Sequence, residues 1–465
     1  LPSSPTAMAP SSMLPVVPGF LLLLSVYAAD LPAGNNGEYL KLPLLHKPPF
    51  AHPSDALSFD AHRLSLLRSA RRTVRSPIVS GADTGAGQYF AALHLGTPPR
   101  RLLLVMDTGS DLTWVRCSAC RRDCSAHPPG TAFLPRHSPT FSPVHCYDRT
   151  CGLVPHADPR RPACNHTRAH SPCTYLYSYA DGSRAAGFLS RETATLNASS
   201  GAAVAFRDLT FGCAFRVSGP SVTGASFNGS AGVMGLGRAS LSFVSQLGRR
   251  FGNRFTYCLR DYTLSPPPTS YLLIGGTGFR RSSGGRAKMK FTPLLTNPAS
   301  PAFYYVGIKG VAVDGEKLPV DPSVWAFDDM GNGGTIVDSG TTLTFLPASA
   351  YRLILAALRR RVNLPTVPSQ GFDLCVRHPD GAPRRWRLPR LVFELAGESA
   401  FAPPPTNYFI DVAPGKVKCL AIQPVSSAEG FAVIGNLMQQ GFVFEFDNHR
   451  SRLGFGRQGC GAAAP

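Results

Sequence analysis

Leu102–Val115 reads LLLVMDTGSDLTWV. The apolar residues Leu102 to Met106 run into one carboxylate, Asp107, and then into a turn of small and hydroxylic residues, Thr108-Gly109-Ser110. An apolar run closed by a turn predicts a strand buried on both faces. A carboxylate at the end of such a strand is costly unless it is hydrogen-bonded or used. The arrangement returns once, at Gly334–Leu346, as GTIVDSGTTLTFL. Aligned on the acids, Asp107, Gly109, Leu112 and Thr113 meet Asp338, Gly340, Leu343 and Thr344. A single Asp-Thr/Ser-Gly tripeptide arises by chance in many chains. Two of them, each after an apolar strand and followed by the same pattern, predict an internal duplication with one acid in each half. Downstream of each acid come two apolar residues and a glycine, Val233-Met234-Gly235 and Val433-Ile434-Gly435, so the duplication extends beyond the acids.

Outward from this stretch the chain reads mainly as short strands and turns. Tyr89, Ala91, Leu93 and Leu95 share one face, and Gly96-Thr-Pro-Pro99 turns into the first acid strand. Strands are expected again at Thr174–Tyr179 and Phe188–Thr195, with Asp181-Gly182 as a hairpin turn between them. Phe442, Phe444 and Phe446 alternate in a closing strand. The clearest helix is Pro347–Val362, with Tyr351, Ile354, Ala357 and Leu358 on one face and Arg359 to Arg361 favouring the dipole at its end. Cys117–Cys173 differs, holding seven cysteines with little periodicity. It reads as a disulfide-held insertion. Zinc ligation by Cys117, Cys120 and Cys124 near His127, His137 and His145 is the alternative, which an oxidising context disfavours.

The 465 residues suffice for two or three domains, and 43 prolines with 45 glycines suit many turns. Leu14–Ala29 fits the apolar core of a signal peptide, so residues 1–29 are read as one. Residues 30–80 are read as a propeptide. Residues 30–75 are polar and basic with no strong strand pattern, His62–Val74 reads as a short basic amphipathic helix, and Arg71-Arg72 and Arg75 offer processing sites. Twelve cysteines and the glycosylation acceptors Asn165, Asn197 and Asn228 point to export, to the extracellular space or cell wall, with the vacuole as alternative. The tail shows no lipid-anchor signal, and no membrane anchor is expected. A net charge of +19 suits nucleic acid, an acidic wall polysaccharide or an anionic membrane, and equally suits solubility in an acidic compartment. Scattered arginines and the glycosylation acceptors argue against a specific nucleic-acid partner.

From about Gln88 to Cys460 the chain resembles the pepsin-like aspartic peptidases, specifically their cysteine-rich plant, nepenthesin-like branch. The residues that carry the resemblance are Asp107-Thr-Gly-Ser-Asp111, Trp114, Tyr179-Ala-Asp-Gly-Ser183, Asp338-Ser-Gly-Thr-Thr342, the two apolar-apolar-glycine motifs and the cysteine-rich insertion. It implies a mainly β, bilobal pepsin-like fold whose two β-rich lobes, residues 81–260 and 261–465, are related by a pseudo-two-fold axis around a cleft. It further implies an aspartic endopeptidase made as a zymogen, monomeric, needing no metal or cofactor. Such an enzyme would cleave polypeptide substrates at acid pH and be open to protein inhibitors.

By the same resemblance, Asp107 and Asp338 are the catalytic pair and Thr108 and Ser339 tie their two turns together. Ser110 and Thr341 would bond the outer carboxylate oxygens, while Gly109 and Gly340 let backbone approach the substrate. Tyr179 matches the tyrosine of the flap hairpin and Trp114 its partner, unless Trp114 simply packs the core. Ala180 departs from the glycine of many relatives. Cys375 and Cys419 resemble the usual bridge of the second lobe. The eight cysteines from Cys117 to Cys213 form an even set of open connectivity, so Cys258 and Cys460 are expected to pair. The rival readings are a pepsin-like binding protein with weak or lost catalysis and a nucleic-acid-associated protein. Both acid triplets being intact argues against the first.

Overall fold

The computed structural model describes residues 40–46, 88–119, 131–154, 170–178, 184–198, 201–219, 222, 230–261, 270–275, 289–369, 371–379, 386–413, 415–425 and 430–457. The expected signal peptide, 1–29, and most of 30–80 lie outside them.

Each acid strand forms its parallel partnership with the apolar pair of its own half. Arg100–Asp107 lies parallel to Gly232–Gly235, with Asp107 opposite Gly235. Trp114–Arg116 runs antiparallel to Gly232–Gly235, Trp114 facing Val233, and parallel to Ala203–Ser218. The second half repeats this. Thr335–Val337 is parallel to Ala432–Ile434. Thr344–Pro347 meets Ala432–Ile434 at Phe345 and Val433, and runs parallel to Ile422–Val425. Hydrophobic burial follows the same plan: Leu112, Trp114 and Val233 lie in the core of one lobe, and Leu343, Phe345 and Val433 in that of the other. The fold is therefore mainly β and bilobal, each lobe built on the same crossing strands.

A sheet common to both halves joins the lobes. Arg254–Cys258 pairs with Ser270–Ile274 and with Phe442–Asp447. Phe442–Asp447 pairs in turn with Arg452–Arg457, which pairs with Lys290–Leu295. Phe255 and Phe446, from opposite halves, stack with ring centroids 4.5 Å apart, and Tyr304 meets Phe446 edge-on at 4.6 Å. In the closing strand Phe442, Phe444 and Phe446 are buried, and so are Val443, Glu445 and Asp447 on the other face. Asp447 tolerates this because Arg254 and Arg452 approach its Oδ2 at 3.2 and 3.3 Å, and a buried carboxylate needs such pairing.

One expectation needs correction. Residues 30–75 showed no strong strand pattern, yet Leu40–His46 is a strand of this sheet, between Ser270–Ile274 and Tyr89–Leu95. Leu40, Leu42 and Leu44 are buried with period two, a signal that is short and interrupted by the exposed Pro43. The helix Ala348–Arg361 buries Tyr351, Ile354, Ala357 and Leu358, as its apolar face predicts, and Phe243–Phe251 is a further helix. Ser242 caps it by accepting the Ser245 N–H, and Gly252 closes it at φ +70°.

Disulfides Cys117–Cys213 and Cys151–Cys173 lie in the first lobe, and Cys375–Cys419 in the second. Cys117 is thereby withdrawn from the zinc alternative. Cys258 is also disulfide-bonded; Cys460 lies outside the described residues.

Candidate active site

Asp107 and Asp338 are buried, 2% and 0% exposed, and both have their oxygens occupied by donors from their own turns. Gly109 N–H donates to Asp107 Oδ1 at 2.8 Å, and Ser110 Oγ to Oδ2 at 2.6 Å. Gly340 N–H donates to Asp338 Oδ1 at 3.0 Å, and Thr341 Oγ1 to Oδ2 at 2.5 Å. A glycine two positions after each acid and a hydroxyl three positions after it allow this, because the turn folds back on the carboxylate it follows. Charge-assisted bonds of this kind are among the stronger ones.

The two turns are also bonded to each other. Thr108 N–H donates to Ser339 Oγ at 3.1 Å, and Ser339 N–H to Thr108 Oγ1 at 2.9 Å. Each hydroxyl then donates onward into the opposite acid strand, Thr108 Oγ1 to Val337 O at 3.2 Å and Ser339 Oγ to Met106 O at 3.1 Å. These four bonds, between residues directly beside the acids, bring both carboxylates to one place at the junction of the lobes. Thr108→Ala removes one acceptor and one donor, leaving the buried Ser339 N–H and Val337 O without them. A loss of about 1–3 kcal/mol is expected, measured by denaturant unfolding, and Ser339→Ala should match it. Unchanged stability in both variants would mean the brace is not formed in solution.

The remaining expected site residues divide. Trp114 is buried in the first lobe's core with Tyr175 and Leu189. Thr174–Ser178 and Arg184–Asn197 form a hairpin that closes at Ser178 and Arg184; Tyr179 lies outside the described residues, as do Asn165 and Asn228. Asn197 is exposed at the end of its strand.

The sequence reading missed three groups beside the acids. Asp111 accepts the Ala239 N–H at 2.8 Å. Burial, opposed by that N–H and reinforced by the charge of Asp107, pushes its carboxyl up to about 6. Its protonation therefore favours the folded state fully below about pH 4, and that contribution is lost as pH rises through about 6. The others are Asn436 and Gln439, whose amides donate to the carbonyls of Ser339 at 3.0 Å and Asp338 at 3.2 Å. Asp111 was visible as a second acid in the motif; for the two amides, polar residues just after an apolar-apolar-glycine run were the only signal.

Family models described as the N-terminal and C-terminal parts of xylanase inhibitors match residues 89–276 and 303–457. Aspartyl protease family protein 2 of Arabidopsis thaliana is 37% identical over 388 residues, which cover 83% of this chain and 73% of that protein. Aspartic proteinase nepenthesin-1 of Nepenthes gracilis is 34% identical over 391 residues, covering 83% of this chain and 82% of its own. Among solved structures, that of edgp superposes with a TM-score of 0.68 at 20% identity, covering 93% of this chain and 99% of the other. Basic 7S globulin from soybean superposes with a TM-score of 0.64 at 19% identity, covering 92% and 99%. At such identities these two structures speak to the fold alone.

Proposed function

The chain belongs to the plant pepsin-like aspartic proteases and is an aspartic-type endopeptidase, and from that premise we propose that Asp107 and Asp338 form its catalytic pair and hydrolyse peptide bonds of protein substrates at acid pH. The observation that carries this reading is the reciprocal bonding of Thr108 and Ser339, which holds together two carboxylates that each accept a glycine N–H and a hydroxyl from their own turn. Two such carboxylates cannot both ionise without strong repulsion, so the pair holds one proton over a range of acid pH, as is characteristic of pepsin-like enzymes. The titrations belong to the pair and not to either residue.

With one proton shared, the ionised carboxylate takes a proton from water as its oxygen attacks the peptide carbonyl carbon. The protonated carboxyl donates to the carbonyl oxygen. The tetrahedral diol then collapses: the carboxyl that took the proton of water gives it to the nitrogen, the C–N bond breaks, the other carboxylate recovers a proton from a diol hydroxyl, and a carboxylic acid and an amine leave. Ser110 and Thr341 keep the carboxylates aimed by bonding the oxygens that do not react. No metal or cofactor has a part in these steps.

The test is incubation of the purified chain at a series of acidic pH values with an unstructured protein, read by mass spectrometry. Cleavage at acid pH in the natural chain and its absence in Asp107→Ala is the expected result. Equal cleavage by both, or none by either, would overturn the reading. The second outcome would favour a binding protein, a possibility raised by the inhibitor description of the family models. Intact donor sets around both acids support catalysis instead. The same spectra report self-processing and the fate of Leu40–His46.

The hairpin of Thr174–Ser178 and Arg184–Asn197 is proposed as the flap, with Tyr179 in its connection reaching over bound substrate. Tyr179→Ala should lower kcat/KM about 10- to 100-fold while leaving the melting temperature nearly unchanged, since a hairpin tip adds little core burial. Unchanged turnover would remove Tyr179 from the site. Secretion as a monomeric zymogen, with glycans at Asn165, Asn197 and Asn228, completes the proposal.

A further inference from the structure

The two halves hold their acids by different means. In the first, Asp107 O receives a backbone donor, the Leu236 N–H, at 2.8 Å. In the second, the carbonyl of Asp338 receives a side-chain donor, Gln439 Nε2, at 3.2 Å. Counted from Gly235 and Gly435, the position of Gln439 is occupied in the first half by Ala239, which has no amide to offer. The duplication thus breaks at a residue that touches one of the acids.

Gln439 is fully buried, and every group around it fixes its orientation. Its Nε2 also faces Ile434 O at 2.8 Å. Two carbonyl oxygens can only accept, so the amide must present its NH2 end to them. Its Oε1 then faces the Tyr257 hydroxyl, which donates to it at 2.5 Å. Burial, followed by the charges of Asp338 and Tyr304, holds the Tyr257 hydroxyl well above its ordinary value, so it remains a donor at any working pH. Tyr257 belongs to Arg254–Cys258, which pairs with Phe442–Asp447 in the sheet shared by the lobes, and its ring packs on Phe444 and Phe446.

We infer that Gln439 is a positioning residue for Asp338, and that through Tyr257 it ties the placement of this acid to the sheet that joins the lobes. The inference rests on the catalytic reading of Asp338 given above. It assigns Gln439 no contact with substrate: the amide sets where the Asp338 main chain lies, and small displacements of a reacting group are costly. The arrangement is one-sided. A change in the joining sheet reaches Asp338 through a buried side chain, whereas Asp107 is held by the backbone beside it.

The experiment measures kcat, KM, melting temperature and affinity for a pepstatin-type inhibitor in the natural chain, Gln439→Leu, Tyr257→Phe and the double variant. Gln439→Leu should lower kcat about tenfold with KM within about twofold, because misplacement acts mainly in the transition state. Tyr257→Phe, which frees the amide to turn, should lower kcat about threefold. The double variant should be no slower than Gln439→Leu, since Tyr257 acts through Gln439. A melting temperature that falls while kcat stays constant would overturn the inference, as would effects that multiply. If Gln439→Leu does not fold, Tyr257→Phe decides alone, and an unchanged kcat there overturns it. Asp107→Asn, measured alongside, tests the catalytic reading separately. Should the natural chain show no turnover, inhibitor affinity decides: a fall of about tenfold in Gln439→Leu supports the inference, and none overturns it.

Discussion

Asp107→Asn and Asp338→Asn should each reduce acid-pH proteolysis by about 10³-fold or more, the scale of losing positioned acid–base catalysis. Either change removes the group that shares the proton: an amide neither takes a proton from water nor gives one to a carbonyl oxygen at these pH values. Stability should survive. The Asn Oδ1 can still accept the Gly109 or Gly340 N–H now made at 2.8 and 3.0 Å. The hydroxyl of Ser110 or Thr341 can turn to accept from the new NH2 group where it now donates. The brace of Thr108 and Ser339 does not involve the carboxylates. Both variants should therefore be produced in normal amounts, melt close to the natural chain, and fail in the mass-spectrometric cleavage assay. Full activity in either one would rule out a mechanism that needs both acids, while a matching loss of folding would show that the carboxylates are structural.

How much of this could be seen in the chain alone follows from the range of each interaction. The acid strands and their turns were legible because their signals are local: an apolar run, one acid and small hydroxylic residues within a few positions. The duplication made them readable twice. The crossing pattern was legible only as spacing, since nothing near Val233 or Val433 says which strand they will flank. Leu40–His46 was missed because Pro43 breaks a short alternation whose partners, Ser270–Ile274 and Tyr89–Leu95, lie far along the chain. The same holds at the site. Gln439 lies 101 residues from Asp338 and 182 from Tyr257, and no local pattern distinguishes a glutamine that anchors a main chain from one that faces water. Asp111 was in plain view, but its effect depends on burial that the sequence does not display.

Gly435→Ala and Gly235→Ala are each expected to destabilise the chain strongly. A Cβ on Gly435 would lie 2.0 Å from Leu343 O, 2.6 Å from Leu343 C and 2.7 Å from Thr342 O. On Gly235 it would lie 2.3 Å from Asp111 O and 2.4 Å from Asp111 C. These are main-chain atoms of the loops that carry Asp338 and Asp107, so no side chain can rotate away to make room. The glycine that follows each apolar pair is there because the strand passes directly beneath the acid loop, and the close approach is what allows Leu236 N–H to reach Asp107 O at 2.8 Å and Asn436 N–H to reach Thr341 O at 2.7 Å. Overpacking of a core typically costs about 1–3 kcal/mol; against rigid backbone the cost should reach about 3 kcal/mol or more, with the acid displaced in any molecules that still fold. Gly152→Ala is the control, since nothing lies within 4 Å of its added carbon. It should leave yield, unfolding midpoint and activity unchanged, whereas both site variants should show lower yield, an earlier unfolding midpoint and less cleavage per folded molecule. If Gly435→Ala unfolds like the control and cleaves normally, the strand does not pass as close beneath the Asp338 loop as the fold requires.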